Sequence, residues 1–269
     1  MQKSLLTIAV LINLVAFSAR AENPQQLQEF KSTKNCYGCD LTNATLATLD
    51  LSNAKLINSS LFGTDFTGSN LSGANLSGIQ AGELVVNARS SERRVSDFSG
   101  VNFSGADISR ASLSRSILNR ANFSGAYLLN TDFGSAQLIG ANFQGARNLA
   151  TAFFGGANLS GADMTNQPLV AVYFRNAYLE NAKLAGAQFD SVDLTNAMLK
   201  NADLRGATFI RTTITGADFT GAKLDPGTVA ELCKIASGTN TLLVDKVSPD
   251  GRPTREPNNV ETRQSLGCR

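Results

Sequence analysis

Apolar residues fall on every fifth position of this chain from Leu41 to Leu224, as in the segment Ala74-Asn75-Leu76-Ser77-Gly78. A half-buried strand repeats every two residues and an α-helix every 3.6. A beat of five fits neither, and predicts a chain that coils into a stacked solenoid. Three registers carry the beat: eight centres from Leu41 to Leu76, ten from Phe98 to Phe143, and sixteen from Leu149 to Leu224. All thirty-four centres are apolar, twenty Leu and eleven Phe among them, which predicts an axis filled by side chains with little room for a lumen.

Two residues before each centre stands Ala in twenty cases and Cys, Ser, Thr or Val in eleven more, with Leu49, Arg147 and Gln167 as exceptions. One large and one small inward residue per five suits a short straight side that turns sharply at both ends. Two residues after the centre, Gly or Asn fills twenty-four of thirty-four places, as positions of positive φ require. The remaining positions are polar and face water.

The pattern resembles the pentapeptide repeat family over residues 40–224, with its A(D/N)Lxx form in Ala106-Asp107-Ile108, Ala162-Asp163-Met164 and Ala202-Asp203-Leu204. The resemblance implies an all-β fold, a right-handed quadrilateral β-helix with four pentapeptides per coil. The opening stretch Cys36-Tyr37-Gly38-Cys39-Asp40-Leu41 is similar to the start of many cyanobacterial members. At ~4.8 Å per stacked strand, about eight and a half coils make a rod roughly 40 Å long. Residues twenty apart then stack, so Phe103, Phe123 and Phe143 form one aromatic column. The register slips by one residue between Phe143 and Leu149; as a local bulge, this slip leaves Phe133, Phe154 and Phe174 as a second column.

A solenoid exposes unpaired backbone at its ends unless caps cover them. Asn23-Pro24-Gln25-Gln26 reads as a helix start with Asn23 as N-cap and Gln26 at the capping-box position, Leu27 and Phe30 facing the first coil. Asp225-Pro226 starts a second short helix with Val229, Leu232, Cys233 and Ala236 on one face, stopped by Gly238. The polar, proline-bearing tail beyond predicts an irregular strap. The expected organisation is a signal peptide at 1–21, a helical cap at 22–39, the repeat rod at 40–224 interrupted at 79–95, and a C-terminal cap and tail at 225–269.

Charge and cysteine usage narrow the setting. Lys3, an apolar stretch from Leu5 to Phe17 and the triplet Ala19-Arg20-Ala21 read as a secretory signal cut before Glu22, with no membrane span in the mature chain. Removing it leaves 22 basic and 22 acidic residues, a balance that argues against nucleic acid as partner. Four cysteines, Cys36, Cys39, Cys233 and Cys268, suggest disulfides in an exported protein, and sequence alone leaves three connectivities open. We read them as structural; a Cys233–Cys268 bond would tie the tail to the cap. The expected compartment is periplasm or thylakoid lumen.

Histidine is absent, which removes Ser-His and Cys-His nucleophile pairs and most catalytic zinc sites. No phosphate-cradling glycine loop sits on a strand-helix unit. Asp163, Lys183, Asp203 and Lys223 should alternate up one column as weak surface ion pairs. No enzyme activity, cofactor or metal is expected. Two surfaces stand out instead. Residues 79–95 break the beat, as a projecting loop or a degenerate coil, and Arg89, Arg93 and Arg94 there could join Arg110, Arg115 and Arg120 in a basic patch for an anionic partner. Outward Phe153 and Tyr173, with Tyr178 and Met198 round the neighbouring corner, could mark a protein interface. The expected function is an exported, non-enzymatic scaffold with an unknown protein partner, monomeric rather than dimeric. The alternative that the resemblance offers is a gyrase-binding DNA mimic, disfavoured by the neutral charge and the signal peptide.

Overall fold

The computed structural model describes residues 23–87, 92–240, 243–247, 253–257 and 260–268; the leader expected over 1–21 lies outside them. From Asn35 onward, parallel bridges link residues twenty apart at five-residue intervals, as in Asn35–Lys55, Asp40–Ser60, Thr45–Asp65 and Asp50–Asn70. Four bridges per coil define four walls, and the coils form a right-handed quadrilateral β-helix. Inward centres along the rod donate their N–H to the neighbouring coil, as from Leu41 to Ser60 O at 2.9 Å, while Phe219 in the last coil donates instead to the Ser265 hydroxyl at 3.0 Å.

The corners explain the rest of the five-residue code. The N–H three residues after a centre closes the turn, as from Ala44 to Leu41 O at 3.0 Å, and the residue two after the centre has positive φ, the pattern of a type II turn. The Asp or Asn that precedes so many centres has a local task. Its carboxylate or amide oxygen accepts the N–H one residue past the centre, as from Thr42 to Asp40 at 3.1 Å and from Ser104 to Asn102 at 3.1 Å. These are Asx turns, which pin the chain as it rounds each corner.

The axis is filled by buried Leu and Phe side chains. Phe103, Phe123 and Phe143 stack with centroids 5.1 and 4.9 Å apart, and Phe133, Phe154 and Phe174 with centroids 4.9 and 5.2 Å apart, the coil repeat itself. Phe133 also meets Phe123 edge-on at 5.6 Å. The second column survives the register slip because only one residue is inserted: Asp132 bridges Phe153, twenty-one residues on. Asn148, with φ 56°, takes up the slack between Arg147 and Leu149. Arg147 is consequently no exception to the small inward position. Buried Ala146 holds that place, and Arg147 turns outward over the ring of Tyr127, 5.2 Å from its centroid.

On one wall Asn70, Asn102, Asn122 and Asn142 donate amide to amide up the stack at 3.2, 3.2 and 3.1 Å. Lower on that wall Asp163, Lys183, Asp203 and Lys223 alternate up one column as expected, and Lys183 reaches Asp163 at 3.4 Å, but Asp203 finds its closest partner elsewhere. The Arg205 guanidinium of its own turn takes its carboxylate and holds it down to about pKa 2.

Both ends carry helices. Helix α1 (Pro24–Thr33) buries Leu27 and Phe30 on the first coil, and Asn23 caps it by accepting from Gln26 N–H at 3.2 Å. Gln26 does not close a capping box; its side chain accepts from Asp40 N–H at 2.9 Å, fastening the helix to the first coil. Cys36 and Cys39 are bonded to each other across the first repeat turn, whose Gly38 has φ 65°. Helix α2 (Pro226–Ile235) buries Leu232, and Cys233 is bonded to Cys268. The tail differs from the irregular strap expected. Short strands Thr239–Asn240 and Val260–Glu261 pair antiparallel, as do Leu243–Val247 and Pro253–Pro257, and a short helix α3 (Thr262–Ser265) follows. Prolines 253 and 257 stand at the two ends of the Pro253–Pro257 strand, where a missing N–H is tolerated.

Candidate interaction corner

Asp65 bridges Asp97 instead of a residue twenty on, so 32 minus 20, or twelve, residues are inserted into one coil without breaking the ladder. They form a projecting antiparallel hairpin of β1 (Glu83–Asn87) and β2 (Glu92–Val95), which replaces the corner after Ala81. Its base is knotted by Ser96. That buried hydroxyl lies 2.7 Å from Leu61 O and accepts from Gly63 N–H at 3.1 Å and Gly82 N–H at 2.9 Å. Gly82, at φ 136°, has no room for a side chain: a Cβ would sit 2.3 Å from Ser114 O.

Cross-strand pairing sorts the hairpin's two faces. Leu84 opposes Arg94, whose Cβ lies over Gly63 of the coil before. Val85 opposes Arg93, and on this other face Glu83 binds both Arg93 at 2.6 Å and Arg115 of the next coil at 3.1 Å. The bond from Arg93, then that from Arg115, hold the Glu83 carboxyl below its ordinary value near 4.5 despite partial burial. A lowered carboxyl pKa means an anchor present above that value and lost as pH falls through the folded one. The side-chain ¹⁵N shifts of Arg93 and Arg115 should therefore hold from neutrality down to about pH 4.5 and move together only below it. A midpoint at or above the ordinary value would show that the bridge does not anchor the hairpin.

Among the described residues the arginines of the expected basic patch do not gather into one patch. Arg110, Arg115 and Arg120 are five residues apart and occupy three successive corners of one coil, all at φ near 60°, so only Arg115 shares the hairpin's corner. Glu83 binds both Arg93 and Arg115 there and offsets one of their two charges; Arg89 lies outside the described residues. The pentapeptide period already placed successive arginines on different corners, and Glu83 was the partner that the arginine count overlooked.

Below Arg115 the same corner runs through Ser135, Gly156 and Asn176, bordered by a groove of about 510 Å³. Phe153 and Tyr173, both nearly half exposed, stack in successive coils with centroids 6.3 Å apart and planes at 42°. The Phe153 ring leans over the turn, filling the space that side chains at Gly134 and Gly155 would need: a Cβ at Gly155 would meet Cζ at 2.4 Å. Arg175 pairs with Asp193 at 3.2 Å at the lower end. Tyr178, round the corner, is half-buried, and Met198 below it is completely buried rather than outward and exposed. Neighbouring Asp218 is also fully buried, so this stretch of wall is covered, and a thioether has no polar atom that needs water.

Among the described residues no three His, Cys, Asp or Glu side chains converge as metal ligands, and no helix is long and apolar enough to cross a membrane.

The profile for pentapeptide repeats matches eight copies, over residues 39–78, 96–133, 116–147, 169–209 and 187–225. Solved structures similar to the chain include HetL, a pentapeptide repeat protein involved in heterocyst differentiation regulation from the cyanobacterium Nostoc sp. strain PCC 7120 (22% identity, 87% of this chain and 99% of that one, TM-score 0.34). Full-length QnrB1, a plasmid-mediated fluoroquinolone resistance protein, is 21% identical over 74% of this chain and 98% of its own, with TM-score 0.39. A pentapeptide repeat protein of the Arabidopsis thaliana thylakoid lumen is 31% identical over 64% and 88%, with TM-score 0.19. No curated protein matches the sequence. With more than half of its length matched and each turn of the repeat accounted for, the chain belongs to the pentapeptide repeat family.

Proposed function

We propose that the protein is an exported, non-catalytic scaffold, a signal peptide followed by a capped pentapeptide-repeat rod, which docks a protein partner through its hairpin arm. One observation carries this reading: the twelve-residue insertion is fastened at its base while the ladder closes beneath it, so the arm adds surface without interrupting the coils. Val85 stands half exposed on it. Cysteines bonded at both ends of the rod fit an oxidising compartment, periplasm or thylakoid lumen.

Replacing residues 83–95 by a repeat-length corner restores the twenty-residue spacing and should leave the folded rod intact by circular dichroism. Crosslinking in the native host should then lose the partners captured by the wild type. Retention of the same crosslinks by the trimmed rod would refute the arm as docking element.

A further inference from the structure

We infer that the groove beside Phe153 and Tyr173 is a second binding site, for a neutral glycan chain, distinct from the hairpin arm. The shelf is built for its ring. Each coil offers one residue just past the centre on this corner: Ser114, Gly134, Gly155, Arg175 and Thr195 in turn. Side chains are missing in the two successive coils where the Phe153 ring leans, and at Gly155 no side chain fits beneath it. An aromatic ring is thereby laid along the wall with surface left to solvent, and Tyr173, tilted against it, supplies a second apolar plane with a polar tip.

Charge selects the class of ligand. Asp132 and Asp193 face Arg115 and Arg175 along the groove, two of each sign, so a cationic or an anionic ligand gains no net attraction. A pyranose has apolar C–H faces to lie on an aromatic ring and hydroxyls around its perimeter that both donate and accept. The groove offers carboxylates, guanidinium groups and the Asn176 amide at that perimeter. An extended peptide fits less well. The backbone of these coils is committed to the ladder, as from Phe154 N–H to Tyr173 O at 2.8 Å, and leaves little with which to pair a peptide's own N–H and C=O groups.

The groove is an open trough rather than an enclosed pocket, which suits an internal stretch of a polymer better than a small molecule needing near-complete burial. It binds without hydrolysing. Asp132 and Asp193 stand three coils apart, about 14 Å at ~4.8 Å per strand, beyond the roughly 5 to 9.5 Å that separates the paired carboxyls of glycoside hydrolysis.

Isothermal titration of the mature protein with cellohexaose and with chitohexaose, two neutral β-linked hexamers differing in their N-acetyl groups, tests the site. At least one should bind, Phe153→Ala should weaken it by about tenfold or more, and Gly155→Ala, which touches only the ring from below, should weaken it as well. Arg120→Gln, on another corner, and Val85→Ser, on the arm and outside the groove lining, should bind like the wild type, which separates this site from the arm. Binding of neither hexamer, equal binding by Phe153→Ala, or selective binding of a proline-rich peptide instead would overturn the assignment.

Discussion

Phe123→Ala should cost the rod about 3 to 5 kcal/mol of unfolding free energy, among the largest losses that a single side chain can cause here. The ring is completely buried, stacked between Phe103 and Phe143 and met edge-on by Phe133, so its removal leaves a void bounded by aromatic faces. Those neighbours are fixed by backbone ladders above and below, and they have little freedom to collapse inward. Denaturant unfolding of the variant, beside Phe153→Ala as a surface control, measures the difference. Phe153 is 44% exposed, and its loss should cost well under half as much. A loss below about 1 kcal/mol for Phe123→Ala would show that the axis can relax, contrary to the rigid stack described above.

The second large effect is expected at the C-terminal end. Replacing Cys233 and Cys268 together by Ser opens a link between residues 35 apart in sequence, worth about 3 to 4 kcal/mol in lost constraint on the unfolded chain. The bond ties the tail after α3 to α2, and at this end buried Leu232, Thr262 and Leu266 complete the core while the Thr262 hydroxyl donates to Ser237 O at 2.9 Å. Amide exchange at Leu232 and along the last coil should rise in the double variant while the Phe103–Phe143 coils stay protected, because a stacked array loses its ends first. The Cys36–Cys39 bond spans only three residues of separation and should contribute about half as much. Equal exchange throughout the rod in the double variant would mean that the end does not open independently.

Much of this architecture is readable from the five-residue code because each position has one physical task. The centre fills the axis, the small residue lets the wall approach it, the Asx residue pins the turn, and the position of positive φ rounds the corner. The one-residue slip after Phe143 was visible as a change of register, yet its exact site was not. Arg147 and Ala146 compete for the same inward place, and only the ladder shows that Asn148 absorbs the extra residue. Where the code lapses, between 79 and 95, sequence leaves loop and degenerate coil both open, because Ala81, five after Leu76, is small and Arg93, five before Phe98, is charged, so neither marks a centre. The site was half readable. Phe153 and Tyr173 fall on the outward phase of the repeat, but the glycine bed under Phe153 is formed by residues in different coils. Met198 sits on that same phase and is nevertheless covered, since burial of a wall depends on what lies across it and the repeat period carries no such information.

The corner between Ala81 and Ser96 behaves as a socket. Phe66 N–H still reaches Asp97 O at 2.7 Å and Asn70 still meets Asn102 as though the intervening residues were absent. Length at that point is therefore decoupled from the stability of the coils on either side, and variation there alters what the rod displays without renegotiating how it folds. A lineage could exchange the displayed segment many times while keeping a single chassis. For engineering, the same corner is a graft point at which a foreign hairpin ending in the Gly82 and Ser96 knot would be held at a fixed angle to the axis.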